Sequence, residues 1–201
     1  MTKKKAQPAK KPCCKWIWAV AAAIIVLAAV LLFAPKRAQV AKITFRDYGT
    51  VTVALDAKNA PKTVAQFVKL AQDGFYDGTK IIRTVPNLLI QGGAPRDGEA
   101  EAPNVKGEFA ANGVKNEHSH VRGTISLARA MPYDSGSSQF FIVCGDYPSW
   151  DGQYAAFGEV TDGMEIVDAI ADREIATADE AGFLPEEYQV EIERVVIETA
   201  E

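Results

Sequence analysis

The chain has 201 residues, 48% of them hydrophobic, and a formal net charge of −4. That length accommodates one domain with a full hydrophobic core plus an appendage. The charge is divided unevenly: residues 1–37 carry +8 with no acidic residue, and the remaining 164 carry −12. Phosphate binding depends on clustered Lys and Arg, so the acidic body excludes nucleic acid as a partner.

Residues 1–15, rich in Lys, Pro and Ala, read as a disordered basic tail. Residues 16–34 (WIWAVAAAIIVLAAVLLFA) hold no charge, and as a helix they would span about 28 Å, close to the hydrocarbon core of a bilayer. Trp16 and Trp18 suit one interface, and Pro35-Lys36-Arg37 stops the helix at the other. A cleaved signal peptide is the competing reading. Cleavage after Ala34 would put Leu32 at the −3 position and Pro35 just after the cut, so an uncleaved transmembrane anchor is expected. Six lysines precede the segment (Lys3, Lys4, Lys5, Lys10, Lys11, Lys15), against Lys36, Arg37 and Lys42 after it. That bias puts the N-terminus in the cytoplasm and the following domain on the extracytoplasmic side, on a short tether at 35–39. Cys13 and Cys14 are adjacent and lack the spacing of a metal or redox pair, which leaves plain thiols or S-acylation. Cys144 is alone in the expected domain at 40–201, which therefore has no internal disulfide.

From residue 40 the pattern alternates. Residues 41–46 and 50–55, joined by Asp47-Tyr48-Gly49, predict a β-hairpin. Asn59-Ala60-Pro61 opens a helix with its apolar face at Val64, Phe67, Val68 and Leu70, and Gly74 closes it. The stretch 81–93 predicts two short strands joined at Pro86-Asn87 and closed by a Gly pair suited to positive φ. Arg83 and Gln91 are polar residues inside these apolar runs, one in each strand, so both can face the same concavity. Residues 94–119 form a long irregular segment, of the kind that is often functional. His118 and His120 are the only histidines, and without a third ligand they make no metal site. Strands are expected at 123–130, 138–144, 154–160 and 188–199, and a second amphipathic helix at 164–175. The count is seven or eight antiparallel strands with two helices: an all-β barrel with helices capping its ends.

Three reaction classes can be tested on these residues. Serine hydrolysis lacks a nucleophile elbow around Ser135, Ser137 or Ser138, and phosphate chemistry lacks a Gly-Lys-Ser/Thr after Gln91-Gly92-Gly93. The third class needs no nucleophile, metal, cofactor or acid–base pair, only a pocket and placed donors. Seven segments then occur in one order: Phe75-Tyr76-Asp77-Gly78-Thr79, Arg83-x-x-Pro86, Ile90-Gln91-Gly92-Gly93, Gly123-Thr124-Ile125-Ser126-Leu127-Ala128-Arg129, Ser138-Gln139-Phe140-Phe141-Ile142, Asp151-Gly152-Gln153-Tyr154 and Phe157-Gly158-Glu159-Val160. Over residues 40–199 the chain resembles the cyclophilins, a family of peptidyl-prolyl cis–trans isomerases.

The resemblance implies a closed eight-stranded antiparallel barrel with two capping helices and an active groove on its outer face. It implies catalytic roles for Arg83, Gln91 and Phe141, with Phe141 the aromatic floor of a proline pocket. Leu88 and Leu89 match the pocket's usual Phe and Met. Ala128, Arg129, Ala130 and Gln139 match residues that line the groove for substrate backbone, and Trp150 and Tyr154 match groove positions. The chain departs from the family's pattern at Ile81 and Ile82, where Phe and His are common before the arginine. It also departs at Trp150, displaced by one position, and at Tyr154, where His is commoner. The expected partners are proline-containing polypeptides outside the cytoplasm. A proline-peptide binder or chaperone module without turnover is the alternative.

Overall fold

The structure is a computed structural model that describes Val20 and residues 38–173 and 178–199. Eight strands form a closed antiparallel barrel in the order β1-β2-β7-β5-β6-β4-β3-β8, with β8 returning to β1. The strands are β1 (Gln39–Phe45), β2 (Gly49–Leu55), β3 (Lys80–Val85), β4 (Leu89–Gly92), β5 (Thr124–Leu127), β6 (Phe140–Val143), β7 (Ala155–Asp162) and β8 (Val190–Thr199). Two helices, α1 (Pro61–Gln72) and α2 (Met164–Ala171), complete the expected all-β architecture. Among the described residues no helix is long and apolar enough to cross a membrane. The anchor expected at 16–34 lies outside the described residues apart from Val20, as do the tail at 1–15 and residues 35–37 of the tether.

The alternation that marks the first hairpin is realised as two faces. Ala41, Ile43 and Phe45 on β1 and Val51, Val53 and Leu55 on β2 point inward, and the residues between them are half-buried or exposed. The barrel interior is filled by Ile90, Ile125, Phe140, Ile142, Phe157 and Ile192, all fully buried. Helix α1 contributes Phe67, whose ring lies 5.1 Å from Tyr76, 5.8 Å from Phe140 and 5.2 Å from Phe157. The Tyr76 hydroxyl, buried with them, donates to the Ser138 carbonyl at 3.0 Å.

The N-terminus of α1 is closed by a residue far away in sequence. Ala60 stands at the N-cap and has no side chain to satisfy the first amides. The buried Glu108 carboxylate does so instead, accepting from Lys62 N (3.0 Å), Thr63 N (2.8 Å) and the Thr63 hydroxyl (2.9 Å). A carboxylate is also favoured there by the positive end of the helix dipole.

Several boundaries are shorter than the sequence pattern suggests. The second helix ends at Ala171, ahead of the expected 175, of which residues 174 and 175 lie outside the described set. The last strand begins at Val190, because Glu186–Tyr188 forms a 3-10 turn. At the other end of the domain β1 already starts at Gln39, which pairs with Thr199. In the Gly pair only Gly93 adopts positive φ, at +80°, and Asn87 takes the left-handed position of the hairpin turn at φ 58°.

Candidate active site

Strand β6 is apolar on both faces, and β4 is so at Leu89 and Ile90. Ile90, Phe140 and Ile142 face the barrel interior, while Leu89, Phe141 and Val143 form a second cluster with Leu88, Ala128, Tyr147, Trp150 and Tyr154. Near-continuous apolar strands such as Phe140-Phe141-Ile142-Val143 are what a sheet covered on both sides requires. Here the outer cover is incomplete, and what remains is a groove.

Strand register assembles the site. Arg83 pairs with Gln91 across β3 and β4, Gln91 with Phe141 across β4 and β6, and Phe141 with Ser126 across β6 and β5. Side chains directly opposite on neighbouring strands lie within reach of one another, so this row sets a cation, an amide and an aromatic ring side by side. A register shift between Ile81 and Arg83 re-aims the arginine at the start of the row. Arg83 Nη1 donates to Gln91 Oε1 at 3.4 Å, and Gln91 Nε2 donates to Gln139 Oε1 at 3.1 Å.

The resulting cavity of about 220 Å³ is lined by Arg83, Leu88, Leu89, Gln91, Ala128, Arg129, Phe141, Trp150 and Tyr154. A neighbouring depression of about 400 Å³ shares Gln91, Ala128 and Arg129 and adds Ala130 and Gln139. All eleven residues singled out in the sequence therefore line one continuous surface. Trp150 reaches it from a 3-10 turn (Pro148–Trp150) despite its displacement, standing edge-on to Phe141 at 5.5 Å. Arg129 lines the groove, and its guanidinium is turned to the protein's own carbonyls. Its Nε and Nη2 donate to the Gln153 carbonyl at 3.0 and 2.9 Å, and Nη1 donates to that of Ala130 at 2.9 Å. The same guanidinium lies 5.2, 5.1 and 4.8 Å from the rings of Phe109, Tyr133 and Tyr154. It braces the groove wall.

His120 supports the floor, a role not legible in its spacing from His118. Its ring stacks on Phe141 at 6.2 Å with an interplanar angle of 19°, between a 2.9 Å contact to Asp151 Oδ1 and a 3.0 Å contact to the Ser126 hydroxyl. His118 instead contacts Asp56 at 3.1 Å. Among the described residues no group of His, Cys, Asp and Glu is arranged to hold a metal ion. Cys144 is buried, and burial pushes its thiol up to about 12, which leaves it an inert core side chain.

Burial also pushes the His120 imidazole below its ordinary value, against the opposing pull of Asp151. A histidine with a folded pKa below its unfolded one binds the proton more readily in the unfolded chain. Its contribution to stability is therefore complete at neutral pH and declines as pH falls below about 6.5. Burial alone would raise Asp151, but its bonds from the His120 backbone and ring hold it below the usual carboxylate value, so a second loss follows at more acid pH. Denaturant unfolding at pH 7.5 and pH 5.5 should show lower stability at the acid value, with a smaller difference in His120→Asn. Equal stability of the wild-type protein at both values would contradict this assignment.

Comparison with known proteins meets this geometry. The family model for cyclophilin-type peptidyl-prolyl cis–trans isomerases matches residues 40–199. The chain belongs to that family. Among relatives, this cyclophilin is 37% identical over 163 residues to peptidyl-prolyl cis-trans isomerase A of Dickeya dadantii, covering 76% of this chain and 83% of the relative. It is 40% identical over 119 residues to peptidyl-prolyl cis-trans isomerase B of Bacillus subtilis, covering 59% of this chain and 81% of the relative. In fold it is similar to a cyclophilin-type isomerase of Cryptosporidium parvum, with a TM-score of 0.68 at 24% identity over 82% of this cyclophilin and 99% of the other chain.

Proposed function

We propose that this isomerase acts through Arg83, Gln91 and Phe141 on proline-containing segments of exported or cell-surface proteins, held at the membrane by residues 16–34. The cross-strand row that sets Arg83 beside a cavity lined by Phe141, Leu88 and Leu89 carries the reading. Rotation about an X-Pro bond faces a barrier of about 18–20 kcal/mol because the amide is conjugated. As the bond twists, conjugation is lost and the nitrogen lone pair becomes localised and basic. A guanidinium only donates and stays charged, so Arg83 favours the twisted amide over either planar form. Phe141, with Leu88 and Leu89, grips the proline ring, and Gln91 contacts the guanidinium from the groove side. No bond is made or broken.

The location outside the cytoplasm rests on the uncharged stretch 16–34 and the lysines before it. Protease treatment of right-side-out membrane vesicles carrying the full chain tests it. Digestion of the isomerase domain with protection of an N-terminal tag is the expected result. A domain that survives until the vesicles are lysed would reverse the orientation, and one recovered wholly in the soluble fraction would remove the anchor.

A further inference from the structure

Residues 179–184, ahead of β8, do more than lead into it. Thr84 N donates to the Gly182 carbonyl at 2.9 Å and Leu184 N to the Ile82 carbonyl at 2.9 Å, and Arg83 forms a bridge with Phe183. Residues 179–184 thus lie along the edge of β3 as a short strap, opposite Arg83 itself. The strap is held in place by local contacts. The Asp179 carboxylate accepts from Ala181 N at 2.9 Å and from Phe183 N at 2.8 Å, closing a tight turn. Leu184 is buried and anchors the far end. Gly182 sits at φ +86°, and a Cβ there would meet the Thr84 carbonyl oxygen at 2.5 Å, so only glycine lets the strap seat on the strand.

Two groups of the strap are directed at the Arg83 side chain. The Ala181 carbonyl accepts from Arg83 Nε at 2.7 Å, and the Phe183 ring centroid lies 5.6 Å from the guanidinium carbon. Phe183 is 44% exposed, and among the described residues its ring pairs with no other aromatic ring or cation. A large apolar side chain left at the surface in this way is not explained by the core. On the groove side Arg83 has only the 3.4 Å contact to Gln91, and among the described residues Nη2 has no hydrogen-bond partner. The side chain is long and rich in rotamers, and one long contact would leave the guanidinium poorly fixed.

We infer that residues 179–184 are a positioning device for Arg83: the Ala181 carbonyl and the Phe183 ring hold its guanidinium edge-on and face-on, so that Nη2 is presented to the twisting amide. This rests on the reading of Arg83 as the catalytic donor. A donor fixed in advance stabilises the transition state without reorganising when the amide twists, so its loss falls on kcat and not on KM. Phe183 touches Arg83, not the reacting bond, and acts only through it.

The test uses the full chain in detergent and a peptide with an Ala-Pro bond, followed by exchange NMR. Phe183→Ala is expected to lower kcat by about threefold to tenfold, the worth of a cation–π contact and the order it imposes, with KM within about twofold. Phe183→Trp keeps an aromatic face and should restore kcat. The Arg83 Nε–H resonance should shift and broaden in Phe183→Ala and recover in Phe183→Trp. In an Arg83→Ala background, Phe183→Ala should cause no further loss, because nothing remains to be positioned. Wild-type kcat in Phe183→Ala, or an equal further loss in the Arg83→Ala background, overturns the inference while leaving Arg83 catalytic. A wild-type rate in Arg83→Ala alone overturns both.

Discussion

Arg83→Ala is expected to lower kcat/KM by about 10²–10³-fold, the usual cost of removing one transition-state donor from a preorganised site. Affinity for a proline-containing peptide should change far less. The ground-state amide nitrogen is a poor acceptor, and the apolar contacts of Phe141, Leu88 and Leu89 do not involve the guanidinium. Such a split between turnover and binding identifies an interaction made mainly in the transition state. The variant should fold normally, since Arg83 is only half-buried and contributes nothing to the barrel interior. Protease-coupled or NMR exchange kinetics at an Ala-Pro bond, with a binding titration on the same preparations, read both quantities. A parallel fall in affinity and rate would instead make Arg83 an ordinary substrate contact.

The second large effect concerns stability. Glu108→Ala removes the one side chain that, among the described residues, satisfies the first amides of α1, and leaves the buried Thr63 N and hydroxyl and the part-buried Lys62 N without their acceptor. Loss of a charged cap with buried donors left unpaired should cost about 3 kcal/mol. In a domain of this size that lowers Tm by roughly 6–12 °C. Glu108→Gln keeps one acceptor oxygen but turns an amide group toward the remaining donors, so it should recover only part of the loss. Calorimetry on the three proteins checks the order. A Glu108→Ala variant as stable as wild type would mean that Lys62 and Thr63 find another acceptor.

These two residues also show what the sequence could and could not disclose. Arg83 and Gln91 were legible as a pair because a short hairpin fixes their register locally, and two polar residues in apolar strands stand out against a period of two. The doubly apolar run of β6 marks a strand covered on both sides, and family resemblance singles out Phe141 within it. Glu108 left no such trace: it reads as one more acidic residue in an irregular segment, and its helix is 45 residues away. His120 was visible only as half of a two-histidine spacing. Its actual partners, Asp151 and Ser126, come from separate elements that only the closed barrel brings together. The strap at 179–184 was silent for a different reason. It adds to β3 through backbone hydrogen bonds, which carry no side-chain pattern, and its one exposed phenylalanine has a cation for a partner.

Exchange NMR on the wild-type chain, with an Ala-Pro peptide at saturating and substoichiometric ratios, tests the central claim most directly because binding and turnover are read from one sample. Unaided, the two isomers interconvert over tens of seconds. Peptide shifts that report occupancy of the Phe141 pocket are expected, together with cis–trans exchange accelerated by orders of magnitude. Clear occupancy of that pocket by a folded protein, with exchange left at the uncatalysed rate, would contradict it and leave a binder of proline segments.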